Sequence, residues 1–281
     1  MRIIRYRPAS PLDACVECFW WSHRDQSETY GERMLPSGGA QLIFALHETP
    51  IVCRPSTSAT DAVVWSRGIV HGPQWSYYES GAKPAGTVVG VSFRPGAAGA
   101  ILGAPVTELA GRHVTIDALW GARGNALRDQ LLDAQSPKIA FRILELALTA
   151  RLRRPFLIHP AVARALALHP SVPLRVADIQ RAAGYSPRHF NELFRAAVGL
   201  TPKHYYRVKR FTAVVGRLAI GGMDNGLADL AASIGYSDQA HMTREFREFA
   251  GVTPTQYRPG GPDGILHQRV RDPTFAGLRI R

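Results

Sequence analysis

Up to Arg94 the apolar positions of this chain come in short runs that alternate with polar ones. "AQLIFALHE", "AVVWSRGIV" and "GTVVGVSFRPG" are rich in β-branched and aromatic residues and are broken by Gly, Pro and Ser clusters, which predicts strands joined by turns in a sheet or barrel. Past Arg94 the period lengthens. "GAAGAILG" and "GNALRDQLLDA" read as short helices, and "KIAFRILELALTARLRR" carries Ile139, Ile143, Leu146 and Ala147 at helical spacing, which predicts a long helix closing this domain. The two prolines of "RRPFLIHP" then mark a linker near residues 154–160, followed by a helix from Ala161 to His169.

Beyond the linker the chain repeats itself. "VADIQRAAGYSPRHFNELFRAAVGLTPKHY" from Val176 returns as "LADLAASIGYSDQAHMTREFREFAGVTPTQY" from Leu227, with Gly184–Ser186 matching Gly235–Ser237 and Thr201-Pro202 matching Thr253-Pro254. Each copy spells two helices and a tight turn. Val176, Ile179 and Ala183 make one apolar stripe, and Gly184 suits the positive φ of a chain leaving a helix. Ser186 and Pro187 are a start signal for the next helix, which buries Phe190, Leu193, Phe194 and Ala197. In the second copy Asp224 or Asn225 caps the first helix, Ser237 caps the second, and Met242, Phe246 and Phe249 are its buried stripe.

The expected fold class is therefore α+β. A β-barrel-like domain with helices fills residues 1–155, an all-α domain of two helix-turn-helix units joined by a long helix fills 156–261, and 262–281 is a lightly packed or mobile tail. With 281 residues, 46% of them hydrophobic, each domain can bury its own core. No signal peptide or membrane span is read from the sequence, and a cytoplasmic location is expected.

Charge changes the picture. The formal net charge is +12, and residues from Pro160 onward hold 17 Lys and Arg against 9 Asp and Glu, so most of the excess falls on the repeated part. A polyanion is the natural partner. Two helices joined by a Gly-containing turn place the second in a DNA major groove. The faces opposite the apolar stripes carry the donors and acceptors that base edges require: Arg188, His189, Asn191, Glu192 and Arg195 in a helix over about 187–197, and Gln239, His241, Thr243, Arg244 and Arg247 in one over about 238–249. A connecting helix from Pro202 to Ile220 would span about 28 Å, close to the ~34 Å between successive major grooves. Its Val208, Phe211, Val215 and Leu218 would pack on both units, leaving Lys203, Arg207, Lys209 and Arg210 for solvent or phosphate. The competing interpretation is a plain helical bundle with solvated polar faces.

Residues 160–259 resemble the DNA-binding domain of the AraC/XylS transcription regulators, on "LRVADIQRAAGYSPRHFNELFRAAVGLTPKHYYRVKR" and, more specifically, "IGYSDQAHMTREFREFAGVTPTQYR". The resemblance implies base-facing positions at Arg188, His189, Asn191, Glu192, Gln239, Ala240, His241, Thr243 and Arg244, with Arg195 and Arg247 on phosphates. Double-stranded DNA is then the partner, with RNA polymerase added if the protein activates; a homodimer is compatible, and neither enzymatic activity nor a cofactor is implied. Glu192 departs from the pattern, because a basic residue is common there.

The N-terminal part resembles an uncharacterised domain found before such units, on "ERMLPSGGAQLIFAL" and "VVGVSFRPGAAGAILG". A barrel mouth lined by Trp20, Trp21, Trp65, Trp75, Tyr77 and Tyr78 is a candidate pocket for a small effector, the alternative being that these rings are core. Cys15, Cys18 and Cys53 cannot pair completely. The Cys15-x-x-Cys18 motif admits a redox or half-zinc site, with buried small side chains as the simpler reading. Two rival functions follow: a cysteine-dependent DNA-repair or methyl-acceptor regulator, and an interaction module without specific DNA binding.

Overall fold

The computed structural model describes residues 2–27, 31–56, 61–152, 156–168, 184–221, 226–259 and 266–270. The strand-rich part forms two antiparallel sheets that face each other. The first has six strands: β1 (Arg2–Tyr6), β2 (Val16–Arg24), β9 (Gly86–Phe93), β4 (Gln41–Ala45), β7 (Gly68–His71) and β10 (His113–Thr115), in that spatial order. The second runs β11 (His267–Val270), β3 (Gly31–Met34), β8 (Tyr78–Ser80), β5 (Ile51–Pro55), β6 (Val63–Trp65).

The period-2 alternation decides what each face of the first sheet touches. Phe19, Leu42, Phe44, Val89, Val91 and Phe93 point to one side, into a core closed by helices. Their chain neighbours Trp20, Ile43, Ala45 and Val88 point to the other, toward the second sheet and its Ile51, Cys53 and Trp65. The helices on the outer side are α1 (Ala98–Leu102), α2 (Val106–Leu109), α3 (Ile116–Trp120), α4 (Ala122–Leu132) and α5 (Pro137–Arg151).

The last of these is the expected long helix that closes the domain, and it turns a second apolar stripe inward. The side chains α5 buries are Ala140, Phe141, Leu144 and Leu148, whereas Ile139 and Leu146 are 46% and 58% exposed. This helix carries two apolar stripes. The one with the aromatic ring faces in because Phe141 stacks with Tyr6 at 5.7 Å and with Phe19 at 6.2 Å between ring centroids.

The C-terminal part is helical: α6 (Pro160–Leu166), α7 (Pro187–Val198), α8 (Pro202–Ala219), α9 (Gly226–Ile234) and α10 (Gln239–Ala250). The expected first helix of the first unit, with Val176, Ile179 and Ala183, lies outside the described residues, as do Asp224 and Asn225. The eighteen-residue α8, about 27 Å long, serves two cores. Its Tyr205 joins Phe190, Phe194 and Val198 of α7. Farther along, Val208, Phe211 and Val215 join Leu230 and Ile234 of α9 and Met242, Phe246 and Phe249 of α10.

After α10, Thr253 starts a turn, with Gln256 N–H bonded to its carbonyl at 3.0 Å. One further expectation is corrected. The tail contains a strand: β11 pairs antiparallel with β3, His267 opposite Met34. The chain that leaves the second helix-turn-helix unit thus becomes an edge strand of the N-terminal domain.

Candidate nucleic-acid interface

Each of the second helices, α7 and α10, is fixed at both ends by its own sequence. Ser186 Oγ accepts the His189 N–H at 3.3 Å with Pro187 in the first turn, and Gly199 closes α7 in the left-handed region at φ 85°. In α10 the cap is Asp238, not Ser237: its Oδ1 accepts the His241 N–H at 2.6 Å, and Ser237 supports the carboxylate at 3.1 Å. A carboxylate is the stronger acceptor for an amide at a helix start, and it also favours the dipole there. Gly251 closes α10 at φ 69°.

Between these caps the polar faces point outward. On α7, Arg188, His189, Glu192 and Arg195 are exposed and Asn191 is half-buried. On α10, Gln239, Ala240, Arg244 and Arg247 are exposed, and His241 and Thr243 are half-buried. The first face is internally paired, because Arg188 Nε lies 3.1 Å from Glu192 Oε1 one turn on.

Reading the sequence missed what holds the second unit to α8. Glu245, only 3% exposed, accepts from Arg207 Nε at 2.7 Å, Arg210 Nη2 at 3.5 Å and the Tyr236 hydroxyl at 2.8 Å. Arg207 also reaches Glu248 at 2.5 Å. Burial and this carboxylate together push the Tyr236 hydroxyl well above its ordinary pKa. Arg207 and Arg210, expected to face solvent or phosphate, are therefore largely committed to carboxylates inside the domain; Lys203 remains exposed. The signal was present. Met242, Glu245, Phe246 and Phe249 fall at i, i+3, i+4 and i+7, so a carboxylate stands at a core position of the stripe.

The two domains touch at equivalent points of the two units. A Cβ at Gly199 would lie 2.9 Å from Val106 Cγ1, and one at Gly251 would lie 2.8 Å from Arg33 Nη1 and Tyr77 Cε1. Arg33 also donates to the Gly251 carbonyl at 3.3 Å, and Trp75 stacks on His204 of α8. The N-terminal domain thus grips the C-terminal cap of each candidate recognition helix.

The aromatic residues expected to share a pocket separate into two groups. Trp20, Trp65 and Tyr78 line a cavity of about 400 Å³ between the sheets. Trp21 packs toward the helical core and stacks on His23, Trp75 sits on His204, and Tyr77 lies against Gly251 beneath Arg33. The period of 2 separates Trp21 from Trp20; Trp75 and Tyr77 went to the domain contact. Cys15 and Cys53 are buried and Cys18 half-buried; burial pushes the thiols of Cys15 and Cys53 up to about 11 and raises that of Cys18, against an activated thiolate. Among the described residues no three His, Cys, Asp or Glu side chains gather as metal ligands, and no helix is long and apolar enough to cross a membrane.

Two helices capped at both ends and packed on one long helix, the second of them preceded by α9 and the Gly235 turn, stand beside a two-sheet domain and define a protein with a helix-turn-helix unit. Comparison with known proteins agrees. Residues 179–260 match the family described as "Helix-turn-helix domain", and residues 4–115 match a domain of unknown function, DUF6597. The chain is 30% identical over 88 residues to the probable transcription factor PqrA of Proteus vulgaris, covering 31% of this chain and 70% of PqrA. It is 31% identical over 84 residues to the HTH-type transcriptional regulator Rv1931c of Mycobacterium tuberculosis, covering 30% of this chain and 32% of that one. To YkgA of Escherichia coli K12 it is 32% identical over 88 residues, so the match spans about a third of the length of these last two relatives. Among solved structures, ToxT from Vibrio cholerae aligns over 84% of this chain and 97% of its own, with 7% identity and a TM-score of 0.46. The chain belongs to the AraC-type helix-turn-helix transcriptional regulators, a family of regulators and not of enzymes.

Proposed function

We propose that this protein binds double-stranded DNA in a sequence-specific manner and regulates transcription, with α7 and α10 entering successive major grooves. The carrying observation is the pair of twelve-residue helices, each capped at both ends, that present Arg188, His189, Asn191, Glu192 and Arg195 on one and Gln239, Ala240, His241, Thr243, Arg244 and Arg247 on the other. Their common attachment to α8 supplies the fixed spacing that two-groove binding requires. Residues 1–155 act as the regulatory domain through a small effector or through dimerisation, and 156–261 as the DNA-binding domain; contact with RNA polymerase belongs to an activating role.

The test is capture of genomic DNA on the purified protein at two salt concentrations. Two short conserved blocks about one helical turn apart are expected, with affinity falling steeply as salt rises. Featureless binding that vanishes at higher salt would leave only a charge effect.

A further inference from the structure

The two copies of the repeat put one tyrosine to different uses. Tyr185 and Tyr236 hold the same place in Gly184–Ser186 and Gly235–Ser237, just ahead of each candidate recognition helix. Tyr236 is 6% exposed, and its hydroxyl donates to Glu245 Oε1 at 2.8 Å. Tyr185 is 39% exposed. The cause lies in α7. Counted back from the matching Thr201-Pro202 and Thr253-Pro254, the residue in the place of Glu245 is Leu193, which packs with the core of Phe190 and Phe194 and offers no acceptor. A hydroxyl buried against it would be left unmatched, so the first tyrosine turns to the surface.

There it meets two histidines. The Tyr185 ring centroid lies 5.1 Å from that of His189, a proposed base-facing residue in the first turn of α7, and 5.6 Å from that of His159. His159 is the N-cap of α6, its Nδ1 accepting the Ala161 N–H at 3.3 Å. That bond decides the state of the ring. A nitrogen that accepts presents its lone pair, so the proton of the neutral imidazole is on Nε2. Nε2 lies 3.4 Å from Tyr185 Oη and donates to it. The hydroxyl hydrogen is then left for a second acceptor, and among the described residues this hydroxyl makes no other hydrogen bond. A hydroxyl that already accepts a bond is also the stronger donor.

Position names the missing acceptor. In a helix-turn-helix the first turn of the second helix enters the groove, and the residues just ahead of it lie at the groove edge, along the sugar-phosphate backbone. Tyr185 precedes Pro187, the first residue of α7, by two positions, and its contact with His189 sets it on the side assigned to DNA.

We propose that Tyr185 donates its hydroxyl hydrogen to a phosphate oxygen of the DNA backbone, and that His159 is a positioning residue that holds the hydroxyl for this contact. The first unit thereby has a neutral backbone anchor that the second lacks, since the Tyr236 hydroxyl is bound to Glu245. The assignment rests on the proposed DNA-binding function.

The experiment is a fluorescence-anisotropy titration of the full-length protein and its variants. The probes are the operator recovered by genomic capture, a random duplex of equal length, and operator duplexes carrying a single methylphosphonate at successive positions. Tyr185→Phe is expected to weaken binding to operator and random DNA alike by about five- to twentyfold, with an unchanged salt slope because no cation is removed. At one methylphosphonate beside the block read by α7 the wild-type protein should lose a similar factor, and Tyr185→Phe less than about twofold more. His159→Asn keeps a capping oxygen for Ala161 but ends short of the hydroxyl. It should preserve the melting temperature and weaken DNA binding about threefold, an effect that disappears when residue 185 is already changed by Tyr185→Phe. Equal affinity of wild type and Tyr185→Phe for both duplexes, or additive losses at every methylphosphonate position, overturns the proposal. Wild-type protein that binds both duplexes equally defeats the sequence-specific reading alone, because the random duplex still tests this contact; binding to neither defeats both.

Discussion

Arg207 on the long helix meets the buried carboxylate of Glu245 on the second candidate recognition helix at 2.7 Å, an ionic tie between the two helices beside their apolar packing. Glu245→Ala would leave two guanidiniums and the Tyr236 hydroxyl without their shared acceptor. Removing one member of a fully buried pair costs about 3–5 kcal/mol, but Arg207 and Arg210 keep 22% and 25% of their side-chain surface. A loss of about 2–3 kcal/mol is therefore expected in urea denaturation, with Glu245→Gln losing less. A change below about 0.5 kcal/mol would show that apolar packing alone holds α10.

Arg244 and Lys203 should separate base reading from charge. Arg244→Ala is expected to weaken binding to the selected operator by about 1–3 kcal/mol and to relax preference at one position. Lys203→Ala should weaken operator and random DNA alike and lower the salt slope by about 1. Titration of both DNAs at two salt concentrations measures each. An operator affinity untouched by Arg244→Ala removes that side chain from the reading face.

Glu192 places a negative charge on a face assigned to DNA and occupies Arg188 at 3.1 Å. Glu192→Gln should raise affinity for DNA several-fold, most at low salt, and leave thermal stability nearly unchanged because the pair is exposed. Weaker operator binding with unaltered non-specific binding would instead mark Glu192 as a direct acceptor from cytosine.

Gly199 and Gly251 combine a left-handed backbone with close approach of the N-terminal domain. Alanine at either site brings the conformational cost of about 1 kcal/mol together with contacts of 2.9 Å to Val106 and 2.8 Å to Arg33 and Tyr77. Gly184→Ala carries the conformational cost with no described atom within 4 Å. Melting temperatures should fall more for the first two, and limited proteolysis should show freer domains for them alone.

His71 and His113 set a pH limit on stability. Their Nδ1 atoms lie 2.6 Å apart, and Tyr78 packs on both rings. Burial, and for His71 also the neighbouring His113, lowers both pKa values, His113 to about 4. His47, His204 and His267 are lowered in the same sense by burial. The buried pair His71 and His113 stays neutral in the fold but takes up protons when unfolded below about pH 6.5. Stability should hold above about pH 7.5 and fall as the pH drops through 6.5 toward 4, by up to about 1.4 kcal/mol per pH unit for each of these two histidines. Urea denaturation between pH 8 and 5 measures the slope, which His113→Asn should reduce.

The sequence disclosed the repeat because its punctuation is local. Gly184 and Gly235 in the turns, Ser186 at a cap and Pro202 at a helix start each act within a few residues, and the stripe of Phe190 and Phe194 follows from helical period alone. Strands in the N-terminal half were readable for the same reason. Partners distant in sequence were not. Which of two apolar stripes α5 buries depends on Tyr6 and Phe19, and Trp75 was drawn from the expected pocket by His204, far along the chain. The tail strand lacked any alternating pattern, since its pairing is supplied by the free edge of β3. Asp238 displaced Ser237 as a cap because both are competent acceptors in adjacent positions, a choice made by geometry.

Because β11 returns to the first domain, the polypeptide crosses between domains at two places, the linker before α6 and the segment after α10. The DNA-binding half is thus tethered at both ends, like a panel hinged on opposite sides. Cleaving the backbone between residues 152 and 156 would leave the halves joined through the second crossing, at an effective concentration set by that short segment and not by dilution. Any movement of the helical half that pulls β11 from β3 gives up the four-residue pairing that runs from His267–Met34 to Val270–Gly31.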